Sequence, residues 1–223
     1  MDLTGASAAS RPSYSVENDS ARSRLRDIRR ELRLAGLTES ATLVTAGRPA
    51  QAIRRIAATD RVSLLVLGVN GSRSRKASTL GSTARALLRR APCPVLTVRV
   101  LDARSLAQPS NAAMQPLFVT DTAPESLRAA LAAWPMLAIP RQVRVVLPPE
   151  GKHDPEIPRR FAPARVLEFP DAPLTLLREA ADTSAGLIVL AFRAGCYLDS
   201  FATGSFAHAL VTGAPCAVLT VRC

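Results

Sequence analysis

The chain repeats itself. Residues 64–100 read LLVLGVNGSRSRKASTLGSTARALLRRAPCPVLTVRV, and residues 187–223 read LIVLAFRAGCYLDSFATGSFAHALVTGAPCAVLTVRC. An offset of 123 residues aligns them without a gap, and 16 of the 37 positions are identical. The identities fall in an opening apolar run and in a block from Gly81 and Gly204 to Arg99 and Arg222. Between these blocks, positions 68–80 and 191–203 share nothing. The parts that pack are kept and the connecting loop is rewritten. Loops carry function on a fixed scaffold, so the two copies are expected to share a fold but not a binding site.

Each copy is read as strand, helix, strand. Leu64–Leu67 and Leu187–Leu190 are continuous apolar runs, as parallel strands buried on both faces require. Val95–Val98 and Val218–Val221 are closing strands, each after an Ala-Pro-Cys turn. Helices are expected from Ser82 to Arg90 and from Ser205 to Thr212, which makes right-handed crossover units.

The alternation continues upstream. In copy one, Ala21–Ala35 has helical spacing with Gly36 as its cap. Ala41–Thr45 reads as a short strand, and Pro49 opens a further helix. In copy two, Pro116–Asp121, Gln142–Leu147 and Arg165–Phe169 read as strands, and Pro124–Trp134 and Ala172–Ala181 as helices. A Pro-rich loop spans Pro148–Pro163. The expected fold is α/β, a doubly wound parallel sheet in two tandem repeats. The expected domains are 1–100 and 116–223, joined by a polar linker over 101–115.

The strongest candidate site is in copy one. Gly68 ends a buried strand, Gly71 follows, and Gly81 precedes Ser82 and Thr83 at a helix start, giving G-x2-G-x9-G-S. In open α/β sheets ligands bind at the carboxyl ends of strands. Gly68 and Gly71, with Asn70 between them, leave that edge open to a ribose and phosphates. Gly81, Ser82 and Thr83 offer helix-terminal amides to phosphate oxygens. Arg73, Arg75 and Lys76 could offset phosphate charge. Alternatively, the glycines serve only as turn residues and Ser82 only as a helix cap.

These residues resemble the universal stress protein family. Its marks are G-x2-G-x9-G-[ST] after the fourth strand and a closing Ala-Pro-Cys-Pro-Val segment, present here at Ala91–Val95. Gly47, Pro49 and Ala50 are similar to the family's Gly-Asp-Pro-Ala helix start, with Arg48 in place of the Asp. The resemblance implies an adenine nucleotide alpha hydrolase-like sheet in strand order 3-2-1-4-5. It also implies ATP binding where the motif is intact, and pairing through the last strands, either in a homodimer or between the two repeats. Two departures stand out. In copy two, Ala191 and Ala194 replace the glycines, leaving Gly204 and Ser205, yet Asp121 resembles the family's nucleotide-contacting aspartate at the first strand. In copy one, no strand precedes Ala21, so that aspartate has no counterpart.

Composition narrows the alternatives. The chain has no G-x-S-x-G, no carboxylate pair with a histidine and no metal-ligand spacing, so no catalytic residue or metal is assigned. Any ATP hydrolysis is expected to be slow or absent. Cys93, Cys196, Cys216 and Cys223 form no C-x-x-C pair and are read as reduced thiols. With neither a leader nor a long apolar run, a cytoplasmic protein without membrane contact is expected. The net charge of +11 is almost all arginine. Arg22, Arg24, Arg26, Arg29, Arg30 and Arg33 lie on one helical segment without interleaved aromatics, so nucleic acid ranks well below nucleotide as a partner. The competing reading is a truncated or degenerate tandem domain that binds proteins instead of a nucleotide.

Overall fold

The computed structural model describes residues 12–34, 36–45, 47–69, 80–98, 116–121, 123–133, 143–147, 164–168, 173–199, 202 and 205–223. The linker over 101–115 and the loop Pro148–Pro163 lie outside the described residues. By its internal contacts the chain divides into Met1–Arg48 and Pro49–Cys223.

In the first unit, helix α1 spans Pro12–Leu34. It begins well before Ala21, in a stretch whose small polar residues read as turn-rich. Pro12 stands at its first turn, where a missing amide costs nothing. The helix stops at Gly36, whose φ of +87° is strained for any side chain. There Gly36 N donates to Arg33 O, and Leu37 N donates to Leu32 O at 2.9 Å, closing the end as a Schellman motif. The expected strand Ala41–Thr45 does not form. Its apolar side chains are exposed or half-exposed, and among the described residues it joins no sheet. A strand without a neighbour gains nothing for its ordered backbone.

The second unit is built on a seven-stranded sheet. Its strands are β1 (Leu65–Gly68), β2 (Val95–Val98), β3 (Pro116–Thr120), β4 (Val143–Leu147), β5 (Ala164–Glu168), β6 (Leu187–Phe192) and β7 (Ala217–Arg222). Its helices are α2 (Pro49–Thr59), α3 (Ser82–Arg90), α4 (Pro124–Ala133), α5 (Pro173–Asp182) and α6 (Phe206–Gly213). The strand order is β1-β2-β7-β6-β3-β4-β5. Every pairing is parallel except β2 with β7. The last five strands therefore form a complete five-stranded block in the order 3-2-1-4-5, and β1 and β2 extend it.

Strand alternation loads both faces. Ile188, Leu190 and Phe192 of β6 pack with Leu88 of α3, Leu176 of α5 and Leu210 of α6. Leu187, Val189 and Ala191 point the other way, against Leu127 and Ala130 of α4. Helices on both faces are what a doubly wound sheet requires.

The antiparallel seam has an internal symmetry. Leu96 opposes Leu219, its own counterpart at the 123-residue offset. Val95 opposes Thr220, and Thr97 opposes Val218. A local two-fold through Leu96 and Leu219 thus exchanges the two closing strands. Away from the seam the symmetry fails. β6 has β3 on its far side, whereas among the described residues β1 has no second neighbour. Val189 is 1% exposed, and its counterpart Val66 is 60% exposed.

Candidate functional site

In the 64–100 segment, β1 carries the chain to Gly68 at its carboxyl end. Val69 follows, buried, and stitches the site together. Its amide donates to Val98 O at 3.1 Å, and its carbonyl accepts from Gly81 N at 3.4 Å. The start of α3 is thereby held beside the strand end. Gly81, not Ser82, is the N-cap; its φ of −59° and ψ of 147° are ordinary extended values. No side chain caps this helix among the described residues. The amides of Ser82 and Thr83 therefore lie at a positively polarised helix end, with Ser82 exposed and Thr83 half-buried. Arg89 and Arg90 occupy the last turn, where they complement the helix dipole. The structure brings Gly68, Gly81, Ser82 and Thr83 together. Asn70, Gly71, Arg73, Arg75 and Lys76 lie outside the described residues.

The 187–223 segment uses the same scaffold differently. Asp121, one residue past β3, has a side chain only 3% exposed. Its Oδ1 accepts from Ala123 N at 3.1 Å. Its Oδ2 accepts from Arg193 N at 2.9 Å and from Arg193 Nε at 3.1 Å. Burial by itself would raise this carboxyl. Hydrogen bonds from the Ser126 hydroxyl, the Arg193 and Ala123 amides and the Arg193 guanidinium outweigh it, and hold the group below the usual carboxylate range.

The loop beyond β6 folds inward. Its 3-10 turn, Tyr197–Asp199, buries Leu198 completely in the core. Asp199 accepts from Gly195 N at 2.8 Å and from Arg222 Nε and Nη2 at 2.8 and 3.0 Å. Burial works against its ionisation, but the Arg222 and Gly195 hydrogen bonds prevail and lower its pKa. Helix α6 is capped by its own chain, since the Ser205 hydroxyl accepts from His208 N at 3.3 Å. Here Ser205 acts as a plain helix cap. Gly204 lies outside the described residues.

Sequence reasoning overlooked Arg193 and the Asp199–Arg222 pair. The signal was in the alignment of the two segments: Arg193 stands where the first has Asn70, and Asp199 where it has Lys76. The charge of the loop is thus inverted at Lys76. The cysteines are free thiols. Burial pushes Cys216 up to about 11, far from a reactive thiolate.

The model of the universal stress protein family matches residues 2–99. Over 66 residues the chain is 38% identical to a universal stress protein in the QAH/OAS sulfhydrylase 3′ region of Thermus aquaticus. That match covers 30% of this chain and 48% of the relative, so the chain spans about half the relative's length. Among solved structures, a universal stress protein from Archaeoglobus fulgidus superposes with a TM-score of 0.71 at 16% identity, covering 99% of this chain and 82% of that one. A functionally unknown protein from Pseudomonas aeruginosa gives 0.57 at 15% identity, covering 90% and 77%. The structures establish the shared α/β fold. The similarity to the universal stress protein family lies in residues 2–99. Among the described residues, no helix is long and apolar enough to cross a membrane.

Proposed function

We propose that this protein is a cytoplasmic stress-response module with two tandem universal stress protein-type repeats, and that the first binds ATP or a related adenine nucleotide. The observation that carries the reading is the start of α3. Among the described residues its glycine cap leaves the helix amides without a side-chain acceptor beside the carboxyl end of β1, where Gly68 presents no side chain. Phosphate oxygens fit such an end, because they accept from the amides and meet the positive pole of the helix. Gly68, Gly81, Ser82 and Thr83 would hold the phosphates, joined by Asn70 and Gly71 of the intervening loop. The chain's own groups bind and orient the nucleotide, and no turnover is part of the reading. The second repeat is left out, because Arg193 and Ser205 already occupy the groups that a nucleotide would need.

Calorimetry with ATP tests this directly. The full chain should bind, and a Gly81→Trp variant with unchanged circular dichroism should not. Equal affinity in both would remove the site from α3.

A second reading has its own observation. Among the described residues the first repeat supplies two strands to the sheet and no counterpart of Asp121, while Asp121 itself is sealed. A tandem domain that binds proteins and no nucleotide fits these facts. Absence of ATP binding to the full chain would favour it.

A further inference from the structure

Five arginines share one line of α1. At about 100° per residue, Arg22, Arg26, Arg29, Arg30 and Arg33 fall within an arc of about 100°. Arg24 falls on the far side, as do Asp27 and Glu31. From Arg22 to Arg33 the stripe runs about 17 Å along the helix axis. Two concavities open along it. One, of about 420 Å³, is lined by Arg22, Leu25, Arg26, Thr42 and Val44. The other, of about 390 Å³, is lined by Arg26, Arg29, Arg30, Arg33 and Leu34.

The stripe is poorly neutralised. Among the described residues its one ion pair is Arg22 with Asp19, exposed and at 4.0 Å. Arg29 Nε is buried and, among the described residues, meets no acceptor. Like charges held at helical spacing repel one another, and that cost is relieved when a polyanion lies along them.

We infer that this stripe docks on the sugar–phosphate backbone of double-stranded nucleic acid, without sequence preference. The line of guanidinium groups suits a line of phosphates, each an acceptor for the planar fork of arginine. No aromatic residue lies between Arg22 and Arg33, which removes the stacking platform that single strands use. The acidic Asp27 and Glu31 on the other side would meet phosphates if the helix entered a groove. The helix therefore lies along one backbone and reads no bases. A membrane surface fits less well. Between Arg22 and Arg33 the apolar line is narrow and carries no aromatic, and on it Leu25 and Leu32 are half-buried, leaving Ile28 exposed.

The test is binding of the full chain to a short mixed-sequence DNA duplex, followed by fluorescence anisotropy across a salt series. Five phosphate contacts predict a log–log slope of about −4.5, or a loss of about 500-fold between 50 and 200 mM salt. Replacing Arg26, Arg29, Arg30 and Arg33 by Gln should flatten the slope by about 3.6. Replacement by Lys should keep it. A charge-matched control with Gln at Arg24, Arg55, Arg90 and Arg128 should also keep it, which separates the stripe from net charge. Circular dichroism checks that the variants stay helical. The inference is overturned if the duplex does not bind, or if the control loses as much as the stripe variant. It is also overturned if phosphatidylserine vesicles hold the protein at salt that releases the duplex.

Discussion

The 64–100 and 187–223 segments build the same strand–helix–strand and finish it in opposite ways. At the first, α3 begins on a glycine and, among the described residues, its amides have no side-chain acceptor. At the second, a serine caps α6, a leucine plugs the loop into the core, and an arginine closes over the aspartate. The backbone framework changes little, and the difference lies in which groups satisfy the helix and strand ends. A site can thus be closed by a few substitutions that replace a ligand's hydrogen bonds with the chain's own. The closed version satisfies its donors with the chain's own groups.

The largest expected effect that sharpens this contrast is at Leu198. It is wholly buried, whereas its counterpart Arg75 lies in the loop of the open segment. Leu198→Ala should cost about 3 kcal/mol in urea unfolding, from lost burial and a residual cavity. Next is Asp121→Ala, which leaves the buried amide donors of Ala123 and Arg193 without their acceptor and should cost about 2 kcal/mol. Arg193→Ala should cost clearly less than Asp121→Ala, because the backbone bond remains and the guanidinium is largely exposed. A cost for Arg193→Ala equal to that of Asp121→Ala would show that the ion pair, and not the amides, seals the site.

Acid should reveal the same asymmetry. Asp121 and Asp199 are both held below their ordinary range. Their contribution is complete above the unfolded-state value of about 3.9, and it is lost as the pH falls through their lower folded values. Stability should therefore decline below about pH 4. Asp121→Asn combined with Asp199→Asn should flatten that decline in acid unfolding curves. An unchanged acid limb would place the sensitivity elsewhere.

Smaller effects probe the seam and the caps. The buried Thr97 hydroxyl donates to Val218 O at 3.0 Å, while its symmetry counterpart Thr220 Oγ1 is buried and, among the described residues, meets no hydrogen-bond partner. Thr97→Val should cost about 1 kcal/mol, and Thr220→Val should be neutral or stabilising. Equal effects in thermal melts would restore the symmetry that the hydrogen bonds break. The smallest change is at the caps: Gly81→Ser and Ser205→Gly should each move stability by only a few tenths of a kcal/mol. Gly81→Ser should nonetheless weaken ATP binding, since its hydroxyl would compete for the same amides.

Much of the framework was legible because it rests on local chemistry. Pro49 marks the start of α2, and the glycine-to-proline interval fixes α3 at Ser82–Arg90. Apolar runs identify the strands to within a residue or two at most ends. What escaped depends on partners far apart in sequence. Ala41–Thr45 has strand composition but, among the described residues, joins no sheet. Arg193 reads as a loop residue until the fold places it 72 residues away against Asp121. The arginines of α1 look scattered when counted and form a line only when wound on a helix. For the candidate site, the glycines and the helix end were readable. The self-closure of the second segment was not, because it arises from tertiary hydrogen bonds.

The antiparallel seam has a geographical consequence. Since β2 and β7 run in opposite directions, the strand tips near Gly68 look out from one margin of the sheet, and those near Asp121 from the other. At about 3.3 Å per residue the strands put most of a domain's width between them. Anything bound at one margin is out of reach of the other. The protein therefore turns its two ends back to back, so that whatever reaches one cannot be touched by the other.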